Sequence, residues 1–349
     1  MVRGANWVGD AVMTVPALRE LRRVLPRARV TLATRPWAEG IFEGANFVDD
    51  FLVTGGTSGG ARAVLREARE WRARRFDLAL LFPNAFAPAL AAALARVPAR
   101  LGYATQGRGA LLTHGVEVPE WRGRRHEVFY YLNLVAELER ALRGSSDIEA
   151  REPDTRIPVS EARSLEALGI LRENGARPLR PLVAVCPGST NSRAKRWPAE
   201  RFAVVADMLA ERAGAEVVLI GAAEEADISA EVARRMRTRP VVLTGKTDLS
   251  QTAAVLKTAD LLVTNDTGPA HVAAAVGCPV VVIFGPTNPL TTRPFAESAE
   301  VVREPPACAP CMLRDCPIDH RCMTAITADD VFARASAALE RRARLEAVR

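Results

Sequence analysis

Five short runs in the second half of the chain, Leu182–Cys186, Glu216–Ile220, Val241–Thr244, Leu261–Asn265 and Val280–Phe284, constrain most strongly what it can fold into. They are dominated by β-branched and other apolar side chains and lack the in–out alternation of a strand with one wet face. Runs of this kind are strands covered on both faces, as in a parallel sheet. Helical patterns separate them at Pro198–Arg212, Glu224–Arg237, Ser250–Thr258 and Pro269–Val276. The alternation predicts a doubly wound α/β domain. The first half repeats it, with strands expected at Arg29–Thr34, Asp50–Val53, Asp77–Phe82 and Arg100–Tyr103.

Between the halves, Arg143–Val159 carries Gly144, Ser145, Ser146, Pro153 and Pro158 and reads as a linker. The expected organisation is a Rossmann-like domain over 1–150, a linker and connecting helix over 151–180, and a second Rossmann-like domain over 181–328. A C-terminal amphipathic helix over 329–349 follows. In that helix Val331, Phe332, Ala335, Ala338 and Leu339 make one apolar stripe. Paired domains of this type hold ligands at the carboxyl ends of their strands, in the cleft between them.

Composition excludes several classes. With 48% hydrophobic and 25% charged residues, the chain has enough apolar content to fold. No uninterrupted apolar run approaches the roughly 18 residues of a membrane span. The first residues show no secretory pattern, so a cytoplasmic enzyme is expected. Six cysteines in 349 residues are no disulfide framework. Residues 1–150 hold 21 basic and 16 acidic side chains, against 26 and 25 in the remainder. The basic excess of the first half suits an anionic partner, although a merely solvated surface would look the same. Three tyrosines and scattered arginines make no stacking platform, so nucleic acid is not an expected partner.

Three loops carry the chemistry. In the first, the run Leu261–Asn265 ends in Asp266-Thr267-Gly268-Pro269-Ala270-His271. Thr267 suits an N-cap, Pro269 a first turn, and Gly277 the far end of the helix. The amides of Thr267, Gly268 and Ala270 would then be free at a positive helix end, a place for phosphate or pyrophosphate. Asp266, itself an anion, suits sugar hydroxyls instead. His271 is either a packed histidine or a phosphate donor. A capped helix with no ligand is the plain alternative.

The second loop, Pro187-Gly188-Ser189-Thr190-Asn191-Ser192-Arg193-Ala194-Lys195-Arg196-Trp197-Pro198, offers hydroxyls at Ser189, Thr190 and Ser192, and Lys195, one of only three lysines in the chain. A point charge beside hydroxyl donors suits a diphosphate, though the spacing is not that of a Walker A loop. The third loop is Gly4-Ala5-Asn6-Trp7-Val8-Gly9-Asp10. Pro16 cannot donate to the Val12 carbonyl, so the helix is expected to begin near Met13–Thr14 or to kink there, leaving Asp10 in a loop. Asp10 reads either as a helix cap or as a carboxylate that takes a proton from an attacking hydroxyl. The fingerprint G-x-G-x-x-G is missing, which disfavours a nicotinamide oxidoreductase.

Together these three motifs, with Phe82-Pro83-Asn84 and Gly285-Pro286-Thr287, resemble glycosyltransferase family 9, from about Gly4 to Val331. The resemblance is to its ADP-heptose:lipopolysaccharide heptosyltransferases of the second-heptose type. It implies a GT-B fold and transfer of heptose from ADP-heptose to the anionic lipopolysaccharide core, with inversion and without a metal or other cofactor. By position it implies Asp10 as general base; Ser189, Thr190, Lys195, Glu224, Asp266, Thr267, Gly268 and His271 toward the donor; and Asn6, Trp7 and Asn84 toward the acceptor. A nucleotide-sugar epimerase, or a transferase using another donor, is the alternative within the same fold. Arginine clusters at Arg62, Arg66 and Arg69 and at Arg122, Arg124 and Arg125 fit an enzyme working at the inner-membrane surface, or a solvated face.

Two features depart from the family. Only Met1-Val2-Arg3 precede Gly4, so the first strand is expected to be short, or the start to have been placed late. Cys308, Cys311, Cys316 and Cys322, with His320 among them, leave a structural zinc, a local disulfide and free thiols open. Cys186 and Cys278 are expected as small core residues.

Overall fold

Each half of the chain builds one six-stranded, wholly parallel sheet. The computed structural model describes residues 1–54, 60–177 and 181–347 and divides into two units, Met1–Thr155 and Arg156–Arg349. In the first unit the strands are β1 (Val2–Arg3), β2 (Thr31–Thr34), β3 (Asp50–Val53), β4 (Leu78–Leu81), β5 (Ala99–Tyr103) and β6 (His114–Val116). Their spatial order is β3-β2-β1-β4-β5-β6. The helices are α1 (Val8–Met13), α2 (Val15–Val24), α3 (Pro36–Phe42), α4 (Ala61–Arg74), α5 (Phe86–Leu94) and α6 (Glu127–Arg143).

The second unit contains β7 (Leu182–Cys186), β8 (Glu216–Leu219), β9 (Val241–Val242), β10 (Leu261–Asn265), β11 (Val280–Ile283) and β12 (Ala299–Val302). Its helices are α7 (Glu161–Glu173), α8 (Ala199–Arg212), α9 (Ala226–Arg235), α10 (Leu249–Thr258), α11 (Gly268–Val276), α12 (Pro289–Thr292), α13 (Arg321–Thr324) and α14 (Ala328–Ala347). The order β12-β11-β10-β7-β8-β9 is the first sheet's order read from the other edge. Both are the Rossmann arrangement, whose winding reverses between the first and fourth strands and opens a crevice at their carboxyl ends. In this chain those pairs are β1 and β4, and β7 and β10. The segments that follow these strands, loops and helix starts together, carry every expected site residue except Glu224.

The buried strands account for the legible runs: β10 and β11 are inaccessible along their whole lengths. Three strands carry no such signal. β1 has two residues, β6 is largely exposed, and β12 is buried only at its ends. The expected helix Glu224–Arg237 opens instead as a 3-10 turn, Ala223–Glu225, and α9 ends at Arg235 because Met236 is extended. The tail stripe is as expected: Val331, Ala335 and Ala338 enter the second core, with Phe332 and Leu339 against it. Residues 348 and 349 of that helix, and 178–180 of the connecting stretch, lie outside the described residues.

β1 is the shortest strand of the first sheet. Its register sets Val2 beside Leu32 and Leu80, so β2 and β4 both begin ahead of it. A cavity of about 880 Å³ lies there, lined by Met1, Val30, Thr31, Leu78 and Ala99 among others. The Met1 amine donates to the Leu78 carbonyl at 2.6 Å, and burial lowers it to about 6 against the opposing charge of Asp77.

One buried carboxylate ties two elements of the second unit. Asp207 on α8 is 2% exposed and accepts the Arg237 amide at 2.9 Å, the Thr238 amide at 2.9 Å and the Thr238 hydroxyl at 2.7 Å. Burial alone would raise its pKa, but these donors and the Arg237 charge outweigh that and hold it below the usual carboxylate range. Asp207→Ala is therefore expected to cost about 2–3 kcal/mol in chemical denaturation. A depressed folded pKa contributes stability above the unfolded value that is lost as pH falls through the folded one. The gap between variant and wild type should close in acid.

Candidate active site

The second unit's site begins where β10 stops. Thr267 takes an extended N-cap geometry, Pro269 stands in the first turn of α11, and Gly277 closes the helix at φ +83. The Thr267 side chain does not cap; its hydroxyl donates to the Asn265 carbonyl at 3.3 Å. The amides of Thr267 and Gly268 thus donate to no acceptor among the described residues. Ala270, expected to be free with them, donates to the Thr267 carbonyl at 3.1 Å. Two amides, not three, are without an acceptor among the described residues at the positive end of this helix. His271 is buried on α11.

The loop after β7 is fastened to this turn by Asn265, which is fully buried. Its Oδ1 accepts the Trp197 amide at 3.0 Å, and its Nδ2 donates to the Pro187 and Gly188 carbonyls at 2.8 and 3.1 Å. Lys195 is thereby delivered to Asp266. Its Nζ donates to Asp266 Oδ2 at 2.7 Å and to the Asp266 carbonyl at 3.2 Å. Thr287, after β11, donates its hydroxyl to the same Oδ2 at 2.6 Å. Asp266 is 4% exposed, so this carboxylate is held by one ammonium and one hydroxyl with little water.

Ser189 is buried, and its carbonyl accepts Arg196 Nε and Nη2 at 3.2 and 3.1 Å. Thr190 donates to Glu225 Oε1 at 3.2 Å. The carboxylate that meets Thr190 is Glu225; Glu224, expected toward the donor, is exposed. The 3-10 turn explains the difference, since it rotates Glu225 inward, where its Oε2 accepts the Ala222 amide at 3.0 Å. Glu225 packs where Gly188 has no side chain: a Cβ there would lie 2.2 Å from its carboxyl carbon. Gly188→Ala is expected to lower the melting temperature by several degrees, and Glu225→Ala to restore part of that loss, as two overlapping groups require.

The cysteine segment braces the same loop from outside. The Arg314 carbonyl accepts the Ala194 amide at 2.9 Å and the Ser192 hydroxyl at 3.1 Å, Asp315 pairs with Arg193 at 2.7 Å, and His320 Nε2 meets the Ala194 carbonyl at 2.6 Å. All six cysteines are free thiols: Cys308, Cys311 and Cys316 are exposed, while Cys186, Cys278 and Cys322 are buried. Among the described residues no three His, Cys, Asp or Glu side chains converge as a metal cage.

The first unit's site surrounds a cavity of about 240 Å³ lined by Asn6, Trp7, Asp10, Asn84, Arg122, Glu127, Tyr130 and Tyr131 among others. Asn6, Trp7 and Asp10 thus line the same cavity as Asn84, which comes from the far side of β4 in the chain. Asp10 is not in a loop. It occupies the third position of α1, and the kink demanded by Pro16 falls after it, at Thr14 between α1 and α2. Nor does it cap, because the N-cap is Trp7 and no side chain caps this helix.

Around it stand residues from outside the three motif loops. Arg108 is buried and donates to the carbonyls of Tyr103, Pro83 and Ala85, and to Asn84 Oδ1 at 3.3 Å, so it shapes the loop that presents Asn84. Arg122 lies 3.5 Å over the Tyr130 ring and pairs with Glu127 at 3.2 Å. Burial raises the Glu127 carboxyl, Arg122 opposes this, and the charge of Asp10 adds to it. Arg125 covers Phe129 at 3.6 Å. Two of the three arginines in that cluster therefore have aromatic partners. On α4, Val64, Ala68 and Trp71 pack inward, but Leu65 is exposed.

Two Rossmann-wound sheets, with a lysine–aspartate pair at an uncapped helix end and a carboxylate-lined cavity, are the parts of an α/β glycosyltransferase. The chain belongs to glycosyltransferase family 9 (heptosyltransferase), whose profile matches residues 64–321. It is 29% identical to lipopolysaccharide heptosyltransferase 2 of Escherichia coli over 87% of each chain. It is 27% identical to lipooligosaccharide heptosyltransferase 2 of Haemophilus influenzae over 87% of this chain and 88% of that one. Among solved structures, it superposes on the E. coli ADP-heptose lps heptosyltransferase II with a TM-score of 0.82 at 26% identity, covering 97% of this chain and 98% of the other. A family 9 glycosyl transferase from Veillonella parvula gives 0.83 at 25% identity, covering 97% and 96%. The resemblance read from the motifs and the GT-B fold it implied are thereby borne out. Among the described residues, no helix is long and apolar enough to cross a membrane.

Proposed function

We propose that the chain transfers heptose from ADP-heptose to a hydroxyl of the lipopolysaccharide core, by inversion and without a metal. The observation that carries this reading is the Lys195–Asp266 pair beside the amides of Thr267 and Gly268. An ammonium and a helix N-terminus offer positive charge where a diphosphate leaving group would develop negative charge. Asp266 then accepts from sugar hydroxyls, and Ser189 and Thr190 border the nucleotide. On the acceptor side, Asn6, Trp7 and Asn84 line the cavity, and Asp10 takes the proton of the hydroxyl as that oxygen attacks the anomeric carbon. Attack from the face opposite the departing ADP inverts that carbon. The chemistry requires the acceptor held by the first unit to meet the sugar held by the second.

The lipid-linked acceptor and the basic first half support work at the cytoplasmic surface of the inner membrane. The deciding experiment is a transfer assay with ADP-heptose and a core oligosaccharide, in chelator, with the product's anomeric configuration read by NMR. Calorimetry with ADP, UDP and GDP accompanies it. Transfer in chelator with inverted configuration and preference for ADP is expected. Preference for UDP would move the chain to another donor, and retained configuration would remove the single-displacement step.

A further inference from the structure

Thr287 has no role in the transfer described above, yet its hydroxyl ends on the atom at the centre of the site. Its loop is fixed from several sides. Gly285 lies against α13, where a Cβ would come within 2.3 Å of Met323 Sδ, and the Pro286 carbonyl accepts the Met312 amide at 2.9 Å. Thr287 is 6% exposed, and its hydroxyl reaches Asp266 Oδ2 at 2.6 Å, the same oxygen that Lys195 holds at 2.7 Å.

If Lys195 serves the donor's diphosphate, as the proposed function has it, the phosphates compete for an ammonium that now gives two of its three N–H donors to Asp266. Losing that ammonium would strip Oδ2 of its cation in a residue only 4% exposed. A buried anion left without a partner costs more than the lost bond alone. We propose that Thr287 is a positioning residue that frees Lys195 for the diphosphate: its hydroxyl keeps Asp266 Oδ2 hydrogen-bonded when the ammonium leaves. Two effects act in the same direction. Before binding, a second donor on one oxygen disperses its charge and weakens the hold on Lys195. After binding, the hydroxyl remains as the oxygen's partner. The role acts through Asp266 and Lys195 and requires no contact between Thr287 and the nucleotide.

The test is a double-mutant cycle read as ADP affinity by calorimetry, with a melting curve for each protein. Thr287→Val, nearly the same volume without the donor, is expected to weaken ADP binding by about tenfold, the scale of one hydrogen bond to a charged group. Thr287→Ser should restore it to within about twofold of wild type. In an Asp266→Asn background, where no buried anion is left behind, Thr287→Val should change affinity by less than about twofold. Should the valine variant fail to fold, Thr287→Ala enters the same cycle. ADP binding unchanged by either substitution overturns the inference, as does an equal loss in the Asp266→Asn background, which would make Thr287 a structural residue only. Wild type with no measurable ADP binding would remove the donor-site reading and this inference with it.

Discussion

Asp10→Asn is expected to lower turnover by roughly 10²–10⁴-fold, the range of a lost general base, while ADP binds as before. The substitution keeps the size of the side chain and removes its ability to accept a proton from a hydroxyl. Asp10 is half-buried on the wall of its cavity, near enough to Glu127 and Tyr131 for its charge to raise both. Burial and the charge of Asp10 raise the Glu127 carboxyl, and Arg122 pairs with it at 3.2 Å. The measurement is an initial rate at saturating donor beside calorimetry with ADP. Since none of the groups proposed for ADP lies in the first unit, a parallel loss of ADP affinity would point to misfolding. Full turnover in this variant would remove Asp10 as the base.

Lys195→Ala is expected to weaken ADP binding by about ten- to a hundredfold, since one cation supplies charge-assisted bonds to a dianionic group. A second cost appears in the empty protein, where Asp266 Oδ2 would keep only the Thr287 hydroxyl. The variant should therefore melt lower without ligand as well. Lys195→Arg is not expected to restore affinity. A planar fork in place of a compact ammonium cannot make both the 2.7 Å and 3.2 Å contacts to Asp266 from the same loop. Unchanged ADP affinity in Lys195→Ala would reject its role.

The strands covered on both faces were legible because burial leaves a compositional trace: β7, β10 and β11 stand almost where the apolar runs stand. β1 was not, because two residues cannot display a period, and β12 was not, because its middle is only partly covered. In the sites, residues in recognisable loops were found, whereas residues that arrive from distant chain positions were missed. Arg108 comes from a 3-10 turn, and no local spacing ties it to Asn84; Arg122 was marked only as part of a basic cluster, with nothing to tie it to the cavity of Asp10. Glu225, the partner of Thr190, was not singled out, because a 3-10 turn and an α-helix aim consecutive residues differently and the pattern alone does not tell them apart. Asp10 was misplaced for a similar reason. The proline set a kink, but α1 had room for six residues before it.

Among the described residues, the hydrogen bonds from the Asn265 side chain to the loop after β7 all end on main-chain atoms: one amide hydrogen and two carbonyl oxygens. A clasp that grips backbone is indifferent to the side chains it gathers. Positions such as Asn191 and Arg193 can therefore drift over generations without shifting the lysine they flank, while the amide that anchors them has almost no latitude. Saturation libraries across this loop should show that asymmetry as broad tolerance at those two sites and near-complete intolerance at Asn265.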